Sequence, residues 1–167
     1  MAGMMDQLID ILGEQTIRYE ELLGLSQEKR DVIIENDVEA LQKINHLENI
    51  VVSQNQRLEK KRQAVVSDMA IVLGQKEEEL TLTRLIELME GKAEQQPLID
   101  ARDRIKTVLD ELKDVNQQNG ELVKNALEYI EFSTNLVRSS LGQQPATYFP
   151  GSDDIYTGES GYIDTSN

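Results

Sequence analysis

The chain has 167 residues, and 17 Lys and Arg stand against 31 Asp and Glu, for a net charge of −14. That charge repels phosphate backbones and anionic bilayers, which argues against nucleic acid or a lipid surface as partner. The chain has no Cys, so a disulfide framework, a thiolate zinc site and a cysteine nucleophile are excluded.

No stretch approaches the ~20 apolar residues of a membrane span, and the start, MAGMMDQ, lacks the basic cluster and apolar run of a signal peptide. A cytoplasmic location without direct membrane insertion is the expectation. Trp is absent, and four of the seven aromatics fall in the last 20 residues. The body must therefore be built from aliphatic side chains, as in long helices packed side by side.

Residues 6–34 place Leu8, Leu12, Tyr19, Leu22 and Ile33 in alternating four- and three-residue steps, with Gln15, Ser26 and Lys29 filling the gaps. This spacing predicts a first helix with polar interruptions in its seam. Asn36 reads as an N-cap, with Glu39 three residues on completing a capping box. A second helix is predicted over 37–73, with a seam of Val38, Leu41, Ile44, Val51, Leu58, Val65, Met69 and Val72, ended by Gly74. Its basic cluster, Arg57, Lys60, Lys61 and Arg62, reads as a solvated face.

The charged run QKEEE leads into a short amphipathic piece, Thr81 to Glu90, capped by Thr81 or Thr83 and closed by Gly91. Pro97 is tolerated in a first helical turn, and the longest helix is expected from there to Leu141. At 1.5 Å per residue, about 44 residues span roughly 65 Å. A helix of that length needs long partners, and the first two helices supply them.

Beyond Leu141 the character changes. Residues 142–167 hold four Gly, two Pro and four acids but no Lys or Arg, and no helical or strand period persists. This predicts a flexible tail. The expected organisation is all-α: an elongated antiparallel helical hairpin or bundle over residues 1–141, followed by an acidic, aromatic-containing tail over 142–167.

Nothing in the chain looks catalytic. The sole histidine, His46, lacks a Glu-x-x-His or His-x-x-x-His neighbour, and no phosphate-binding glycine loop or nucleophile elbow is present. Asp153, Asp154 and Glu159 miss the alternating ligands of a calcium loop. The expectation is a protein that is not an enzyme and takes no cofactor or metal.

Two features stand out instead. Between Asn125 and Val137, one seam carries Ala126, Tyr129, Ile130 and Val137, and Leu127, Phe132 and Leu136 lie outside it. One buried stripe needs only about 100° of the circumference. The surplus means either a helix sandwiched between two others or a second face that awaits a partner helix. In the tail, Tyr148, Phe149, Tyr156 and Tyr162 are spaced like short docking motifs, or alternatively fold back onto the bundle.

Three runs carry a resemblance to a known family. LIDILGEQTIRYEELLGLSQEKRDVIIENDVEAL (residues 8–41), LTLTRLIELMEG (80–91) and NALEYIEFSTNLV (125–137) resemble, in order, the opening, middle and closing elements of the FlgN family. The ending, with YFPG and GYIDTSN, is similar to the tails of its Gram-positive members. The resemblance implies a cytosolic chaperone of flagellar type III export. Such a chaperone holds the terminal amphipathic helices of the hook–filament junction proteins, FlgK and FlgL in type, and brings them to an export gate protein of the FlhA type.

Carried over by position, the substrate face is Leu122, Val123, Ala126, Tyr129, Ile130, Phe132, Leu136 and Val137. The resemblance also implies gate docking by a tail tyrosine. Tyr148 and Tyr156 are the leading candidates, within an aromatic set that includes Phe149 and Tyr162. A monomer or weak homo-oligomer is expected. The competing reading is a structural coiled-coil or scaffold subunit, which would need an unbroken apolar seam. Gln15, Ser26, Asn55, Asn116 and Asn119 interrupt that seam.

Overall fold

The computed structural model describes residues 2–140, and among these there are helices and no β-strand. In chain order they are α1 (Ala2–Glu35), α2 (Val38–Leu73), α3 (Leu82–Leu88) and α4 (Gln95–Ser140), with a single 3-10 turn, Glu77–Glu79, between α2 and α3. The all-α class expected from the periodicity is the one the chain adopts. Tyr148, Phe149, Tyr156 and Tyr162 lie outside the described residues.

The connection between α1 and α2 corrects one expectation. Asn36 is not an N-cap; it adopts φ 56°, the left-handed conformation that closes α1. Its N–H donates to Ile33 O, and the N–H of Asp37 donates to Val32 O, each at 3.2 Å. Asn tolerates this conformation better than other residues with a Cβ. The cap passes to Asp37, whose carboxylate accepts from Ala40 N–H at 3.1 Å. Glu39 therefore falls one position short of the capping box.

The same closing motif recurs at the end of α2, where Gly74 does take the predicted role. It sits at φ 62° with its N–H on Ile71 O, and Gln75 N–H reaches Ala70 O. Thr81, not Thr83, caps α3, accepting from Arg84 N–H at 3.1 Å. Gly91, at φ 78°, follows its last turn. Pro97 falls in the first turn of α4, where its missing N–H costs no helical bond.

Packing divides the chain into two units, residues 1–119 and residues from 120 onward. Within the first unit α1 and α2 form an antiparallel hairpin, fastened by Gln15 to Glu59 and by Lys29 to Glu48, both at 3.0 Å. The first part of α4 runs parallel to α1: Leu98 joins the core beside Met5, Leu8 and Leu12, and further along Asn116 and Asn119 meet Ser26.

The main core gathers Met5, Leu8 and Leu12 with Met69, Leu85 and Leu98. Full burial of each such side chain stabilises by ~1.5–3 kcal/mol. A smaller cluster of Leu22, Val51 and Leu112 lies further along the hairpin. Between the two stand Gln15 and Asn55, both buried. Of the predicted polar interruptions, Gln15, Ser26, Asn55 and Asn119 are thus internal, while Lys29 is half-buried and Asn116 exposed.

Two seam positions of α2 are corrected. Val38 and Val72 are exposed, while Ala70 is buried with Met69. A straight helix drifts by about 20° per heptad against a strict seven-residue repeat, so a seam extrapolated over five heptads leaves the buried face at its ends.

Candidate partner-binding site

The buried residues of α4 are Leu98, Val108, Leu112 and Asn119, and none follows. From Gly120 the helix continues for 21 residues to Ser140. Leu122 and Ala126 are half-buried in this stretch, and Val123, Leu127, Tyr129, Ile130, Phe132, Leu136 and Val137 are exposed. Tyr129 reaches 72% exposure, Phe132 66% and Ile130 57%, whereas Leu98 in the core is at 0%. Within the second unit these side chains are surface.

Successive residues turn by 100°, which brings Leu122, Val123, Ala126, Leu127, Tyr129, Ile130, Leu136 and Val137 into an arc of about 180°. Phe132 lies about 40° beyond Leu136, at the border of that arc. Glu121, Lys124, Glu128, Glu131 and Arg138 all fall on the opposite side. The apolar half of the helix carries no charge. Such a surface can desolvate against an apolar partner without stranding an ion.

The helix is regular up to Ser140, with Thr134 Oγ1 donating to Ile130 O and Ser140 Oγ to Val137 O, both at 2.8 Å. This keeps the apolar positions in helical register.

In the first unit the notable polar contact is an ion pair. The Arg62 guanidinium, bonded to the carboxylate of Glu59, holds that carboxyl below the ordinary glutamate value. Partial burial opposes the shift, and the Gln15 amide adds to it. The same pairing raises Arg62 further. Of the four basic residues read as a solvated face, Arg57, Lys60 and Lys61 are exposed, whereas Arg62 is half-buried and paired with Glu59. Among the described residues no group of three or more His, Cys, Asp or Glu is placed to hold a metal ion, and no helix is long and apolar enough to cross a membrane.

Sequence reasoning singled out the apolar side chains of this face but missed Ser133. It lies on the same side as Ala126, seven residues on. The signal was a small residue at heptad spacing, which an inventory of large apolar positions passes over.

No curated protein and no solved structure gives a significant match to the chain. The family model described as FlgN protein matches residues 1–152, nearly the whole length and every described helix. On that match over well more than half of its length, the chain belongs to the FlgN family of flagellar chaperones.

Proposed function

We propose that this protein is an export chaperone for the hook–filament junction proteins of the FlgK and FlgL type, and that it delivers them to a gate protein of the FlhA type. The observation that carries this reading is the uncharged apolar half of α4 over residues 122–137, exposed in the chain by itself. Terminal helices that pair only in a finished filament would expose apolar stripes before assembly and aggregate. A helix face of this length can cover such a stripe. The negative charge of the rest of the molecule keeps the carrier soluble and disfavours self-association.

In this reading Leu122, Val123, Ala126, Tyr129, Ile130, Phe132, Leu136 and Val137 contact the client. Tyr148, Phe149, Tyr156 and Tyr162 in the tail contact the gate, with Tyr148 and Tyr156 the leading docking residues. The chaperone acts in the cytoplasm, and release proceeds without nucleotide hydrolysis by this chain.

The test is a titration of the chain with the terminal segments of a junction protein, comparing wild type with Ile130→Asp and Phe132→Asp. A carboxylate placed in a desolvated contact costs several kcal/mol, so binding should fall at least 100-fold while the helical circular-dichroism signal is kept. Unchanged binding by both variants would put the client elsewhere. An obligate dimer or trimer in light scattering would favour the scaffold reading.

A further inference from the structure

The exposed half of α4 has a finer relief than an apolar stripe. Two ridges run along it at seven-residue spacing, Leu122–Tyr129–Leu136 and Val123–Ile130–Val137, and the row between them is Ala126, Ser133 and Ser140. Seven residues are close to two helical turns, so each ridge stays nearly in line, and neighbouring ridges stand about 100° apart around the axis. The row between is low because its side chains end at Cβ or Oγ.

In knobs-into-holes packing a side chain enters a hole bounded by residues i, i+3, i+4 and i+7 of the facing helix. On this surface the hole of Ala126, Tyr129, Ile130 and Ser133 has two small ends and two large walls. The next, of Ser133, Leu136, Val137 and Ser140, repeats that composition seven residues later.

We propose that these two holes are sockets, and that Ala126 and Ser133 determine specificity. The occupant is one amphipathic helix of the client that carries two large apolar side chains seven residues apart, one seated in each socket. The inference rests on the proposed client role of this face and adds to it the register and the size of the groups recognised. One feature of the chain argues for a client helix over a second copy: each copy carries a net charge of −14, so two copies repel. The walls bounding the sockets bear no charge, so a neutral apolar ridge of the client meets no unpaired ion there.

The test depends on the sign of the effect of added bulk. A face that binds through apolar area alone would hold its client equally well or more tightly when a leucine is added. A socket would be blocked. The full chain is titrated with the terminal segment of a junction protein by fluorescence anisotropy, in wild type, Ala126→Leu, Ser133→Leu and Lys124→Leu. Lys124 is exposed on the far side of the helix, about 160–180° around the axis from Ala126 and Ser133, and controls for bulk.

Ala126→Leu and Ser133→Leu should each weaken binding more than tenfold, and Lys124→Leu should leave it unchanged. All three residues are on an exposed helix, so circular dichroism should match wild type. Unchanged or tighter binding by the first two variants overturns the sockets. Ile130→Asp, titrated alongside, separates that result from a failure of the client role: loss of binding there with no effect of Ala126→Leu leaves the face in use and removes only the sockets. A dimer of the chain alone in light scattering, dissociated by Ile130→Asp, would make a second copy the occupant and overturn the proposal.

Discussion

The side-chain amide of Asn119 donates to the backbone carbonyl of Ser26 at 2.8 Å, joining residues 93 apart in sequence. One turn earlier Asn116 Oδ1 accepts from Ser26 Oγ at 3.1 Å. Ser26 thus receives α4 twice, at the last buried position of that helix. The Oδ1 of Asn119 is buried with no partner, so the amide is held through its donor alone.

Asn119→Asp removes the donor and places a carboxylate against a carbonyl oxygen at a buried site. The expected loss is about 3 kcal/mol, in the range for an unpaired buried charge, read as a lower urea midpoint. Asn119→Leu discards the bond together with the unpaired oxygen, and with Ser26 O still placed inside the α1 ladder the expected loss is smaller, about 1 kcal/mol, the net worth of one hydrogen bond. Equal effects of the two substitutions would remove the donor from the account.

Leu98 and Ile130 lie on the same helix and should respond oppositely to truncation. Leu98→Ala leaves a cavity in the main core and should cost about 3 kcal/mol. Ile130→Ala removes an exposed side chain and should change stability by no more than about 0.5 kcal/mol. Paired thermal melts decide the matter, and a large loss at Ile130 would return that residue to the core.

At Gly74 an added Cβ would meet no atom within 4 Å, so only the backbone resists substitution. With φ at +62°, Gly74→Ala should cost about 1–2 kcal/mol for forcing a residue with a Cβ into the left-handed region. Gly24, inside α1 and equally open, is the contrast: Gly24→Ala should stabilise by up to about 1 kcal/mol. Melting temperatures moving in opposite directions are the expected result.

The depressed Glu59 carboxyl links stability to pH. Because its folded value is lowered from the ordinary 4.5, its contribution is fully present above that value. It is lost as pH falls through the lowered, folded value. Glu59→Gln should therefore flatten the acid side of the stability curve and leave the slope above pH 6 as it was. Denaturant midpoints measured across the acid range check this. The guanidinium of Arg62 stays charged throughout and adds no pH dependence of its own.

Truncation after Leu141 tests the tail. The shortened chain should keep its melting temperature and its binding of junction-protein segments, while its binding to the gate's cytosolic domain when preloaded with client should fall. Tyr148→Ala and Tyr156→Ala should each weaken that contact by ~2 kcal/mol, the scale of an interface hot spot. Unchanged gate affinity after truncation would take the docking role away from these residues.

Periodicity by itself determined that the chain would be helical, where its three long helices would run and which aliphatic positions would be central. Leu8, Leu12, Ile44 and Leu58 are buried because burial demands a 3.6-residue repeat, and that repeat is written in the sequence. The αL role of Gly74 was equally legible, since glycine carries its conformational freedom wherever it stands. Asn36 was not: a residue that suits both an N-cap and a left-handed C-terminus is assigned only when the two helices on either side meet. Nor could the sequence say that Val72 would face solvent while Ala70 was buried, because helix drift accumulates over distances a local pattern does not cover. Above all, a surplus of apolar residues between 122 and 137 reads the same whether covered or bare. Coverage is a property of what packs against a helix, so only the tertiary structure decided that the burial of α4 ends at Asn119 and that Tyr129, Ile130 and Phe132 stand in solvent.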